Sequence, residues 1–228
     1  MRILVLFICC IILITSCKKT IDTPVQKDFT SDLAYFGLKK GKYIEYVVTH
    51  IIHDDEVDIH DTLIFRLKTI IGDTITDNEG RKASKYIRLL WNNINETWDI
   101  KDVWTTIIDG KNAELTDENQ RIIKLTFPIN KSIFWNPSIF STLPSENYTY
   151  DKIHVPLVLN NHLFDSTVTV VQNNYLTLVD YKFQTETYAK NVGLISKYYK
   201  NLRIKNFDTL QVKKGEEWFY TMTKFGDE

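Results

Sequence analysis

The stretch from Tyr43 to Ile71 reads "YIEYVVTHIIHDDEVDIHDTLIFRLKTII", and its periodicity decides the fold class. Apolar residues recur every second position, not at the 3.6-residue spacing of a helix. One face of its first half carries Ile44, Tyr46, Val48, His50 and Ile52. The other carries Tyr43, Glu45, Val47, Thr49 and Ile51. The second half repeats the habit, with Leu63, Phe65, Leu67 and Ile71 opposite Arg66 and Lys68. β-Branched and aromatic residues dominate both halves, as strands favour. The charged centre, around Asp55, reads as a hairpin tip.

The same alternation returns in "FDSTVTVV" (Phe164 to Val171) and "YLTLVDYKF" (Tyr175 to Phe183), each read as a strand. Turn signals separate the runs. Asp109-Gly110, Asn92-Asn93, Asn160-Asn161 and Asn173-Asn174 are pairs that tolerate left-handed backbone, and Asn78-Glu79-Gly80 closes a further turn. The stretch from Asn136 to Asn147, with Pro137 and Pro144, reads as a long loop. Helix is confined to a turn near Thr30 to Phe36. The expectation is a mostly β protein: an antiparallel meander of about ten strands, curled into a barrel or half-barrel because so many strands cannot stay a flat open sheet. The five tryptophans are expected in the interior or at its rim.

The chain has 228 residues, eight glycines and three cysteines. Met1-Arg2 precedes an unbroken apolar run, Ile3 to Ile14, which is shorter than the ~20 residues that span a bilayer. It matches the h-region of a secretory signal. Ile14-Thr15-Ser16 then leads into Cys17. That pattern resembles a bacterial lipobox, which implies a diacylglycerol on Cys17, cleavage after Ser16 and acylation of the new amine. The expected organisation is therefore a signal peptide (1–16), a lipidated tether (17–33) and one β domain (34–228). Several acyl chains on one residue anchor a protein stably without a transmembrane helix. Cys9 and Cys10 leave with the signal, so no disulfide is available and stability must come from packing. Losing Arg2 leaves the 29 acidic residues two ahead of the basic ones. There is no basic block of the kind that binds nucleic acid.

The segments "YFGLKKGKYIEYVV", "DTLIFRLKTII", "TDNEGRKASKYIRLLW" and "ETYAKNVGLISK", together with the lipobox, resemble an uncharacterised family of Bacteroidota lipoproteins. In that family an aromatic-rich opening precedes a β-meander and a "Y-A-x-x-V-G-L" segment comes late. The resemblance runs from Tyr35 to about Tyr199 and implies no particular activity. The strand-heavy plan is also similar in architecture to LolA/LppX-type half-barrels, although their covering helices have no counterpart in this sequence. Lipoproteins sent to the cell surface in the resembled group carry acidic residues beside the acylated cysteine. Here Lys18-Lys19 follow it and the first acidic residue is Asp22. The expectation is an outer-membrane lipoprotein facing the periplasm.

Chemistry is concentrated in "HIIHDDEVDIHD" (His50 to Asp61), where imidazoles and carboxylates make His50, His53 and His60 the candidate metal ligands. A hairpin turning near Asp55 would bring His50 opposite His60. No H-E-x-x-H, no G-x-S-x-G and no glycine-rich phosphate loop occurs. Neither a catalytic residue nor a cofactor is assigned. Four tripeptides beginning Asp-Ser/Thr resemble the O-glycosylation acceptors of this bacterial group, which makes Thr62, Thr74, Ser166 and Thr209 candidate modification sites. Because Asp ends turns and Thr starts strands, the same tripeptides also arise from hairpin architecture alone. The leading expectation is a non-catalytic lipoprotein that binds an envelope protein or glycan, or serves structurally. The alternatives are a carrier or sensor of an apolar ligand inside the curled sheet and a metal-dependent enzyme built on the histidine cluster. A carrier needs an internal cavity, whereas a scaffold is packed solid.

Overall fold

A computed structural model describes residues 29–228. After a four-residue helix, α1 (Thr30–Leu33), the chain is all strand: β1 (Lys42–Asp54), β2 (Ile59–Thr76), β3 (Lys82–Asn92), β4 (Thr97–Asp109), β5 (Asn112–Asp117), β6 (Gln120–Thr126), β7 (Phe134–Trp135), β8 (Tyr148–Leu159), β9 (His162–Leu176), β10 (Asp180–Ala189), β11 (Gly193–Lys205) and β12 (Asp208–Asp227). The twelve strands exceed the expected ten because β5, β6 and β7 are too short to show much alternation. Except for β6 and β7, which do not pair with each other, each pairs antiparallel with its neighbours in sequence, and β1 also pairs β12 along its whole length, from Lys42↔Asp227 to Asp54↔Lys214. The order is therefore β6-β5-β4-β3-β2-β1-β12-β11-β10-β9-β8-β7, and the edges of the sheet come from the middle of the chain.

The two edges nearly meet, which curls the sheet into an almost closed barrel. The backbone N–H of Ile123 in β6 donates to the carbonyl of Pro137, just past β7, at 2.9 Å. The Trp135 indole donates to the Ile123 carbonyl at 3.0 Å. The Tyr150 hydroxyl accepts from the Thr126 amide at 2.9 Å and donates to the Thr126 carbonyl at 2.8 Å. These bonds satisfy backbone groups that an open edge would leave unpaired.

Most turns sit where the sequence placed them. Asn160 and Asn161 both have positive φ, 46° and 63°, and join β8 to β9 as a two-residue loop of the primed type. Gly80 and Gly110 have positive φ in the β2–β3 and β4–β5 turns. Asn173-Asn174 is an exception: both residues lie within β9, and the chain reverses at Thr177–Val179 instead. "YLTLVDYKF" is thus a hairpin turn with its flanks, not one strand. Its hydroxyl explains why, since Thr177 Oγ1 accepts from the Asp180 amide at 3.0 Å and caps the turn.

The segment from Phe29 to Gly41 packs against the barrel. Phe29 stacks on Phe127 at 6.3 Å, and Asp32 accepts from the Ile129 amide at 3.0 Å. Part of the expected tether therefore belongs to the folded domain. Tyr35 is fully buried, with its hydroxyl 2.6 Å from both His154 Nδ1 and Ser166 Oγ. Gly37 then turns with φ 53°, where a Cβ would lie 2.9 Å from the Val192 carbonyl oxygen, so the residue must be glycine. One apolar cluster gathers Tyr35, Phe127, Trp135, Tyr150 and Val168 near the β6/β7 seam. A second gathers Tyr46, Val48, Leu67, Ile195 and Met222 around β1 and β12.

Candidate functional site

The barrel interior is not filled. A cavity of about 240 Å³ lies between these elements, walled by β1 to β6, by β10 to β12 and by the Phe36–Leu38 turn. Aromatic side chains make much of the wall: Phe36, Tyr46, Tyr86, Trp104, Tyr188 and Tyr220. Strand alternation aims every second residue inward, and on β10 that parity is unexpected. Gln184, Glu186 and Tyr188 are the buried set, while Phe183, Thr185 and Thr187 are less buried. Polar groups therefore enter the interior by register.

Four basic residues, Lys42, Arg88, Lys124 and Lys197, line the cavity against two acidic ones, Asp117 and Glu186. Glu186 is bonded at both oxygens. Lys124 Nζ lies 2.6 Å from its Oε1, and the Tyr188 hydroxyl donates to its Oε2 at 2.6 Å. Burial works against the Glu186 carboxylate, but the charges of Lys124 and Lys197 outweigh it and hold its pKa below the ordinary value. Arg88 lies 3.9 Å over the Trp104 ring and donates to Asp102 at 3.2 Å. Asp102 also receives Lys101 at 2.7 Å. Burial raises the Asp117 pKa, with Glu118 adding to it.

Lys197 is different. It makes no hydrogen bond or ion pair among the described residues and lies beside the rings of Tyr220 and Tyr199, at 5.5 and 5.9 Å. Burial lowers its pKa; Glu186 opposes that effect, and Lys124 and Arg88 reinforce it. A second acidic group whose charge acts on it, Glu216, accepts at Oε2 from His50 and from the Trp218 indole, each at 3.0 Å. The arrangement is a small, aromatic-walled chamber with an excess of positive charge, suited to holding a ligand.

The histidine cluster is split by the sheet. The β1–β2 register sets His53 opposite His60, with ring centroids 6.0 Å apart, and pairs His50 with Leu63. His50 and His53 are an odd number of residues apart, so a regular strand turns them to opposite faces. His50 stacks on Trp218 at 3.5 Å. His53 bonds Glu217 at 3.0 Å, and His60 lies 3.3 Å from Asp55. The expected facing of His50 and His60 is therefore replaced by that of His53 and His60. No three His, Cys, Asp or Glu side chains gather to hold a metal among the described residues.

Of the candidate modification sites, Thr62 and Thr74 are exposed on β2, Thr209 is half-buried at the start of β12, and Ser166 is half-buried and bonded to Tyr35. Cys17, the signal and Lys18-Lys19 lie outside the described residues. The cavity lysines and Glu186 were not singled out by sequence reasoning; the pattern "Q-T-E-T-Y" on β10 was the one available signal, a strand whose polar phase coincides with a tyrosine.

No protein-family model and no curated protein matches the chain. Among solved structures it is similar to a protein of Parabacteroides distasonis described as a lipoprotein, at 10% identity and a TM-score of 0.45, over 84% of this chain and 98% of that one. It is also similar to a protein of Bacteroides fragilis described as exported and as having a YmcC-like fold, at 7% identity and a TM-score of 0.42, over 84% and 98%. A third, from Vibrio parahaemolyticus, is described as a domain of an outer membrane lipoprotein-sorting protein, at 11% identity and a TM-score of 0.24, over 87% and 89%.

Proposed function

We propose that the chain is a lipid-anchored envelope lipoprotein, held by acylated Cys17, whose barrel binds a small ligand of partly apolar character in its interior and performs no catalysis. The observation that carries the binding role is the cavity. A purely structural barrel gains by packing its interior to crystal-like density, and this one keeps about 240 Å³ open behind six aromatic residues. That volume lies just under the roughly 300–1,000 Å³ of sites for drug-sized molecules, which favours a small ligand or a single chain of a larger one. Native mass spectrometry of the chain from Lys18 onward tests it. A reproducible mass increment that disappears on mild denaturation is expected. A bare chain recovered from its own host's envelope would count against the reading.

The anchor is tested separately. No helix among the described residues is long and apolar enough to cross a membrane. Cys17→Ser is expected to abolish incorporation of labelled palmitate while the β domain folds normally; equal labelling of variant and parent would refute it. We place the domain on the periplasmic face of the outer membrane, on the strength of Lys18-Lys19 beside the anchor. It should then survive external protease on intact cells. Thr62 and Thr74, the exposed pair, are the acceptors we propose for O-glycosylation, and an intact mass equal to that of the acylated polypeptide alone would exclude it.

A further inference from the structure

We infer that the ligand of the interior cavity carries an anionic head, a carboxylate or a phosphate on a short apolar body, and that the Lys197 ammonium receives it. The inference rests on the reading of the cavity as a ligand site and adds the chemical class of the ligand. Lys197 is partly buried at the cavity wall, and an ammonium so placed without an ion pair leaves its charge only partly compensated. Lys124, by contrast, is matched by Glu186 at 2.6 Å.

Lys197 is unmatched. Glu186 stands opposite it in the β10–β11 register and acts on it through its charge, but makes no bond to it, and Asp117, the other carboxylate of the wall, makes none either. Both Glu186 oxygens are taken by Lys124 and the Tyr188 hydroxyl. Glu216 Oε2 is taken by His50 and Trp218. Asp102 Oδ2 is taken by Arg88 and Lys101. Lys124 and Arg88 add their charge to the same chamber, and Lys42, at its wall, donates its own hydrogen bond to the Asn191 carbonyl. An incoming anion would complete a charge-assisted bond that the fold leaves open. Much of the remaining wall is apolar or aromatic, with Ile44, Leu67 and Ile71 and the rings of Tyr46, Tyr86 and Tyr220, and its polar members besides Asp117 are the hydroxyls of Thr69 and Thr106. Such a wall has little to offer a fully polar anion beyond the charge itself, so the body attached to the head is apolar.

Calorimetric titration of the chain from Lys18 onward at low salt, with octanoate, octyl phosphate, octanol and octylamine, tests the assignment. Octanoate or octyl phosphate should bind at least about tenfold tighter than octanol, with octylamine no better than octanol, and the tighter of the two anions identifies the head. In Lys197→Met the anions should lose this advantage while octanol binds as before. Lys197→Gln provides the same test with a polar side chain, and a cooperative thermal transition in each variant confirms that it folds. Lys213→Met, at the exposed Asp55 pair outside the chamber, should change nothing. Equal affinity of the parent for octanoate, octyl phosphate and octanol would overturn the anionic head. An anion preference that survives both Lys197 variants would overturn the role of Lys197. Failure of all four probes to bind would overturn the cavity as a ligand site.

Discussion

Glu186 shows how much one inward-facing side chain governs. It is almost completely buried and pairs with Lys124, itself mostly buried. Removing one member of such a pair strands the other charge, so Glu186→Gln should destabilise the protein by about 3–5 kcal/mol in urea denaturation. The pH dependence follows from the direction of its shift. A carboxyl whose folded pKa lies below its ordinary value of 4.5 adds stability that is complete above that value and disappears as pH falls through the lowered one. The gap between parent and variant should therefore be widest near neutral pH and should narrow steadily below about pH 4.5. A gap that stays constant from pH 7 to pH 3 would mean that the charge on Glu186 contributes nothing. None of this was legible in the sequence. In "FQTETYA" the charged and hydroxyl residues alternate as they would on a solvated face, and only the β9–β10–β11 register reveals that their phase is the inner one. Lys197 was hidden in the same way, since a lysine in a strand ordinarily faces water.

Strands were legible as elements because alternation is a local property, and turns were legible where their chemistry is local too. Asn160-Asn161 was read correctly because asparagine tolerates the left-handed region. Asn206-Phe207 was not, because a phenylalanine at φ 61° contradicts the residue preferences of a primed turn. That turn joins β11 to β12, and Phe207 is 57% exposed, so its ring contributes little burial in return. Phe207→Gly should relieve the left-handed penalty of about 1–2 kcal/mol, less the greater freedom glycine has in the unfolded chain, about 0.5–1 kcal/mol. A net stabilisation of roughly 0.5–1 kcal/mol and a higher thermal midpoint are expected. A lower midpoint would show that the ring holds the tip in place. The β6/β7 seam gives the opposite case. Trp135→Phe keeps an aromatic ring in the core but deletes the indole N–H that reaches the Ile123 carbonyl, along with part of the bicyclic ring. Leaving that carbonyl short of its bond at a buried site should cost about 1–3 kcal/mol, measurable as a loss of denaturant midpoint with an unchanged far-ultraviolet dichroism spectrum.

Over the whole molecule, the property that decides stability is the pairing of the first strand with the last. Tyr43 lies opposite Gly226, so almost the entire chain is a loop that must close before this ladder forms. No residue pattern in β1 or β12 announces the other as its neighbour, and for that reason the meander was legible and its circular order was not. The consequence runs against the usual tolerance of chain ends to truncation, which depends on whether their backbone is bonded and their side chains buried. β12 is bonded on both sides, to β1 and to β11, and stands at the centre of the sheet order. Met222 within it is fully buried among Tyr46, Leu67 and Ile195. Asp227 and Glu228, by contrast, contribute an exposed pair with Lys39 and a half-exposed one with Lys68, each worth about 1 kcal/mol. Removing those two residues should leave a cooperative transition with a slightly lower midpoint. Removing residues 216–228 should separate the β1–β6 half from the β7–β11 half and expose both apolar clusters. The truncated chain should then show no cooperative unfolding in urea by tryptophan fluorescence. A shorter chain that still unfolds in one sharp transition would mean that one half of the barrel is a folding unit on its own.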